Sequence, residues 1–162
     1  MDTNGNIKKD IILILVGAII SASTAYVTSA ISENRQDKKA TIQKKLELND
    51  QLSKDLGKRL YLTYKLYNTK RDNLKDSLNL LSAYKESKEE WNIKIYSYQS
   101  LLKHYYSEDV KEEFINLIYE PLIKLGQEAE HSTYNSLFTK KWKQLQKSNI
   151  EFITKIYDLA EN

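Results

Sequence analysis

The sequence predicts an all-α protein: an N-terminal single transmembrane helix, a long helical stalk, and an antiparallel up-down helical bundle of about four helices. Three observations carry that expectation. Only 4 Gly and 1 Pro, Pro121, interrupt 162 residues, too few breakers for a many-turned β fold. Ile11 to Ile31 is a run of 21 residues without a charge. Beyond it, large apolar residues return at steps of three and four, the period of an amphipathic helix.

Residues 1–9 read as a short disordered tail and 10–32 as the transmembrane helix. At about 1.5 Å per residue, the uncharged run covers roughly 31 Å, close to the hydrocarbon thickness of a bilayer. Its first half is aliphatic apart from Gly17 and Ala18, and its second half, Ser21 to Ile31, holds five Ser/Thr hydroxyls. Hydroxyls can bond back to the preceding helical turn, which lowers their cost in lipid. The same residues also have a leader's form. Lys8 and Lys9 precede a short apolar core, and small residues in "STA" stand before Tyr26, where a signal peptidase would cut. The anchor is the leading expectation because the uncharged run continues past that site to Ile31.

Gly17, Ser21, Ala25 and Ser29 recur every fourth residue and make a small-residue ridge suited to close helix packing in lipid. Homo-oligomerisation through this ridge and the stalk is therefore expected. The flanks set the orientation. Two cations precede the run, whereas Arg35, Lys38, Lys39, Lys44 and Lys45 follow it, which places the body in the cytoplasm and the basic flank at the membrane surface.

Residues 33–55 read as a basic juxtamembrane stalk and 56–162 as the bundle. The periodicity predicts a first long helix from Gln36 to Tyr84, with Leu46, Leu52, Leu56, Leu60, Tyr64, Tyr67, Leu74, Leu78 and Leu81 on one face. Ser87 and Glu90 have the spacing of a capping box, which predicts a new helix carrying Trp91, Ile95, Tyr98, Leu102 and Tyr105. Ser107 predicts another start, followed by a stripe of Val110, Phe114, Leu117, Pro121 or Leu122, Leu125 and Ala129, kinked at Pro121. A last helix runs from about Ser136 to Leu159 with Phe138, Trp142, Leu145, Ile153, Ile156 and Leu159 or Ala160 inward.

Composition excludes several kinds of chemistry. There is no Cys, so disulfides, thiolate metal sites and a Cys nucleophile are out. Glu128 and His131 stand at i and i+3, as in di-iron bundles, but no second Glu-x-x-His exists to complete a site. No phosphate loop, nucleophile elbow or HExxH is present. Cofactors, metals and catalysis are not expected. Lys outnumbers Arg 22 to 3, a bias that A/T-rich codons produce without selection for binding. Tyr61, Tyr64 and Tyr67 are expected to pack in the bundle, not to stack bases, and no nucleic acid is expected. Net charge is +5 over residues 32–82 and −4 over 83–131. Lys140, Lys141 and Lys143 around Trp142 are a possible partner surface.

The functional expectation is a membrane-anchored bundle that touches membrane lipid and a protein partner in a regulatory, scaffold or defence-type role. Two rivals stand beside it: an exported soluble bundle, and a membrane-active effector that oligomerises through its transmembrane helix.

Overall fold

The computed structural model describes the backbone of residues 3–72, 77–131 and 137–161, and side chains within those ranges at residues 29, 32, 33, 35–72, 78–131 and 137–161. The described residues are helical apart from short turns at Asp72, Tyr106–Ser107 and Leu137: α1 (Thr3–Arg71), α2 (Ser77–Tyr105), α3 (Glu108–Phe114), a π-helical turn (Ile115–Tyr119), α4 (Glu120–His131) and α5 (Phe138–Glu161). Two compact units divide the chain, Met1–Thr41 and Ile42–Asn162. Because α3, the π-turn and α4 follow one another without a break, the second unit is built from four helical rods. It is a helical bundle.

Cross-contacts fix the topology of that unit. Along α1 and α2, Arg59 meets Tyr84, Lys58 meets Glu90, Asp55 meets Lys94 and Tyr98, and Asn49 meets Tyr106. Numbers fall on one helix as they rise on the other, so the two are antiparallel. Tyr67 on Phe138, Tyr64 on Trp142 and Asn49 on Ile156 give the same result for α1 and α5. Leu52, Leu56, Leu66, Leu102, Phe114, Ile118, Leu122, Phe138 and Ile156 are fully buried between the rods. A buried leucine contributes about 1.5–3 kcal/mol relative to an exposed one. Leu48 and Asn49 are also buried, so the core reaches into the segment read above as stalk.

Two sequence expectations need correction. The first long helix does not run to Tyr84, and no helix starts at Ser87. α1 ends at Arg71, α2 begins at Ser77, and Ser87 is buried inside α2 at 3 % exposure. The misleading signal was the apolar pattern carried on by Leu78, which is 77 % exposed. Lys70 and Arg71 close the last turn of α1, where cations complement the negative helix end. The second correction concerns Leu117, which is half exposed while Ile118 is fully buried.

Pro121 explains that second shift. It has no amide hydrogen to give, and its ring crowds the carbonyl four residues back. The chain answers with the π-turn just before it, where the Glu120 amide donates to the Ile115 carbonyl. The buried positions Val110, Phe114, Ile118 and Leu122 are four apart. In a 3.6-residue helix such a series drifts by about 120°. One widened turn absorbs the drift and keeps Leu122, Leu125, Gly126 and Ala129 on the core side. Ser107 behaves as the sequence predicts: its backbone is extended and its Oγ accepts from the Val110 amide at 3.2 Å.

The two glycines of this unit differ in surroundings, and that difference is testable. A Cβ added at Gly57 meets nothing within 4 Å, whereas one at Gly126 would lie 2.8 Å from Tyr84 Oη and 3.3 Å from Arg59 Nη2. Gly57→Ala should therefore raise stability by about 0.5–1 kcal/mol through helix propensity and chain entropy. Gly126→Ala should lower it by about 1–3 kcal/mol despite the same propensity gain. Urea unfolding followed by circular dichroism measures both.

Candidate functional site

The most unusual chemistry in the bundle is a charge inside it. Arg59 is 1 % exposed, on the core face of α1 between Leu56 and Leu60. An isolated buried cation is very unfavourable unless paired and hydrogen-bonded. Its Nη2 donates to Tyr84 Oη at 2.9 Å, and its guanidinium carbon lies 4.2 Å from the centre of the same ring. Tyr84 is fully buried, and its phenol lies within electrostatic reach of the Glu130 carboxylate. Lys88 Nζ donates to Glu130 Oε1 at 2.5 Å, and Lys70 Nζ donates to the Glu130 carbonyl at 2.5 Å. The result is a relay from α1 through α2 to the end of α4. Gly126, one turn before Glu130, leaves the space that the Tyr84 hydroxyl fills. Arg59 Nε and Nη1 make no hydrogen bond among the described residues.

The electrostatics follow from this geometry. Burial pushes the Tyr84 phenol up to about 12, against the opposing pull of Arg59, with Glu130 reinforcing the rise. Burial also works to raise the Glu130 carboxyl, but Lys88, Tyr84 and Arg59 overcome it and hold that carboxyl below its ordinary value. A second centre lies further along α1. Burial opposes ionisation of Asp55, yet Lys94 and Tyr98 hydrogen-bond to it and lower its pKa. Asn49, fully buried, donates to the Ile156 carbonyl at 3.0 Å and accepts from Tyr106 Oη at 2.8 Å, which ties α1, the end of α2 and α5 together. These groups can fix helix register and hold charge; none is arranged as nucleophile and base.

The basic flank does not act as one set. Arg35, Lys38, Lys39 and Lys44 are exposed. Lys45 belongs to the bundle: its Nζ donates to the Leu159 carbonyl at 3.2 Å and stands 5.3 Å from the Tyr106 ring centre. Of the ridge residues, Ser29 is exposed, and its Oγ donates to Glu33 Oε1 at 3.4 Å; Gly17, Ser21 and Ala25 lie outside the described side chains. The rest of the uncharged run lies outside them too. Among the described residues no helix is long and apolar enough to cross a membrane.

Lys140, Lys141 and Lys143 separate likewise. Lys141 pairs with Glu128 and lines a cleft of about 260 Å³ between α4 and α5, with Pro121, Leu125 and Leu145 as its apolar walls. Lys140 and Lys143 are exposed, about 160–220° around α5 from Leu145 at 100° per residue, so they face away from that cleft. Tyr64 is half buried on Trp142 and Tyr67 buried on Phe138, whereas Tyr61 is 57 % exposed. His131 is exposed, with Nδ1 3.0 Å from the Gln127 carbonyl, and Glu128 pairs with Lys141 at the surface, so neither faces the core. No group of His, Cys, Asp and Glu that could hold a metal ion occurs among the described residues.

Sequence reasoning did not find the Arg59–Tyr84–Glu130 relay. The available signal was a lone Arg at a core phase of α1, four residues from Thr63 and three from Leu56. No protein-family model, curated protein or solved structure matches this chain.

Burial of Tyr84 makes stability fall in alkali. In the unfolded chain the Tyr84 phenol releases its proton near 10, but in the bundle near 12. Its contribution is complete below pH 10 and is lost as pH rises through 12. Tyr84→Phe should therefore flatten the decline of stability across that window by up to about 1.4 kcal/mol per pH unit, one proton's worth. Unfolding midpoints between pH 9 and 12, compared with the parent chain, read this out.

Proposed function

We propose that this chain is a single-pass membrane protein whose C-terminal helical bundle lies in the cytoplasm and acts through protein–protein contacts, without catalysis. The observation that carries the reading is the uncharged run Ile11–Ile31 within α1, the same helix that supplies the bundle's core residues from Leu48 onward. A run of that length matches the hydrocarbon thickness. Two cations before the run and a larger basic group after it favour a cytoplasmic body.

The bundle offers features that a protein partner would use. Ile93 and Tyr96, 79 % and 74 % exposed, stand one turn apart on the outer face of α2. The α4–α5 cleft sets Leu125 and Leu145 beneath Lys124, Glu128 and Lys141. Large apolar and aromatic side chains surrounded by charge are common at recognition surfaces. The role fits a regulator, a scaffold or a defence protein.

Fractionation of cells expressing the chain with a C-terminal tag tests the anchor. The tag is expected to stay in the membrane pellet through carbonate and high-salt washes, with the N-terminus intact. Release by either wash, or a mature N-terminus near Tyr26 in intact-mass measurement, would replace this reading with an exported or soluble bundle.

A further inference from the structure

The helical segment after the uncharged run has no opposite-charge pair at helical spacing to support it. Residues 32–41 belong to α1, and every side chain described there is exposed. A helix polar on all sides is stable when it carries many favourable i,i+4 pairs or spans between other structures. Here the charged residues are Glu33, Arg35, Asp37, Lys38 and Lys39. No two of opposite sign stand three or four apart. Glu33 and Asp37 are four apart with like charge, as are Arg35 and Lys39, and Arg35 and Lys38 are three apart with like charge. Each such pair weakens the helix.

The signs are nevertheless sorted around the helix. At about 100° per residue, Arg35, Lys38 and Lys39 fall within an arc of about 100°, while Glu33 and Asp37 lie roughly opposite. Helical folding therefore gathers three cations on one side. A nearby anionic surface would attract all three and offset their mutual repulsion.

We infer that residues 32–41 are a docking helix for anionic phospholipid headgroups, engaged through Arg35, Lys38 and Lys39 and held helical by that contact. The inference rests on the anchored reading above. Distance selects these three from the five basic residues of the flank. Along the helix, Arg35, Lys38 and Lys39 stand about 6–12 Å past Ile31, within or near one Debye length of about 8 Å from a bilayer surface there. Lys44 and Lys45 stand about 20 Å past it and are screened. Lys45 is in any case held by the Leu159 carbonyl. Each cation near an anionic surface strengthens attraction about fivefold.

Full-length protein reconstituted into neutral phosphatidylcholine vesicles and into vesicles with 30 % phosphatidylglycerol (about one lipid in three) provides the test. The readout is amide hydrogen exchange over residues 32–41. Exchange is expected to be at least about tenfold slower in the anionic vesicles. Replacing Arg35→Gln, Lys38→Gln and Lys39→Gln together should abolish that difference, and Lys44→Gln should leave it. Equal exchange in both vesicles while the chain floats with both would overturn the inference but not the anchor. Failure to float with neutral vesicles would overturn the anchor, and the inference with it.

Discussion

The bundle depends on one wall: the stripe of α1 from Leu48 to Tyr67. Leu52, Leu56 and Leu66 on it are wholly withdrawn from solvent, and residues of α2, α4 and α5 reach it. That wall is not uniformly apolar. Asn49, Arg59 and Thr63 interrupt it, all buried. A polar group at such a place stabilises nothing until its hydrogen bonds are made, and its partners must come from other helices or its own. Thr63 uses its own helix, donating to the Arg59 carbonyl at 2.8 Å. Asn49 takes partners from two other segments, and Arg59 is tied to Tyr84, within electrostatic reach of Glu130. Burial by leucine supplies most of the stabilisation; the polar interruptions specify which neighbours may supply it. A helix shifted by one turn would still bury leucine but would leave Arg59 beside apolar carbon alone.

The π-turn belongs to the same constraint. Pro121 removes a hydrogen bond in the middle of the third rod, and the widened turn before it resets the phase of everything after. Gly126 and Glu130 both lie beyond that reset. Without it they would be turned away from α1 and α2, and the relay would lose its acidic end. An apparent fault in one helix thus positions a carboxylate that pairs with Lys88 and whose field reaches Arg59. Glycine at 126 completes the fit, because any Cβ would occupy the place of the Tyr84 hydroxyl.

Much of this architecture was legible because period dominates it. Trp91, Ile95, Tyr98 and Leu102 are buried as their spacing requires, and Ser107 caps where its neighbours predict. The failures are equally physical. Leu78 keeps the helical phase across residues 72–77, although Asp and Asn in "RDNLKD" favour turns. Ser87 matched a cap pattern that helix interiors also contain. Leu117 was placed inward by counting α-helical turns, and only a turn of different pitch moves Ile118 there. The core phase of Arg59 hints at its burial, but nothing in a linear pattern names its partners. Its partners are 25 and 71 positions away, so their meeting is a product of topology.

The helix that carries the bundle's core wall begins with the uncharged run Ile11–Ile31. The absence of Cys makes the surroundings of that run directly measurable, since any introduced thiol is unique. Single substitutions Ile14→Cys, Ile20→Cys, Val27→Cys, Gln36→Cys and Asn92→Cys can be probed in native membranes with a water-soluble maleimide. The account predicts that the first three stay unlabelled until detergent or denaturant is added. Gln36→Cys and Asn92→Cys should react once the cytoplasmic side is opened. Labelling of Ile14→Cys, Ile20→Cys and Val27→Cys in intact membranes at the rate of Asn92→Cys would contradict it.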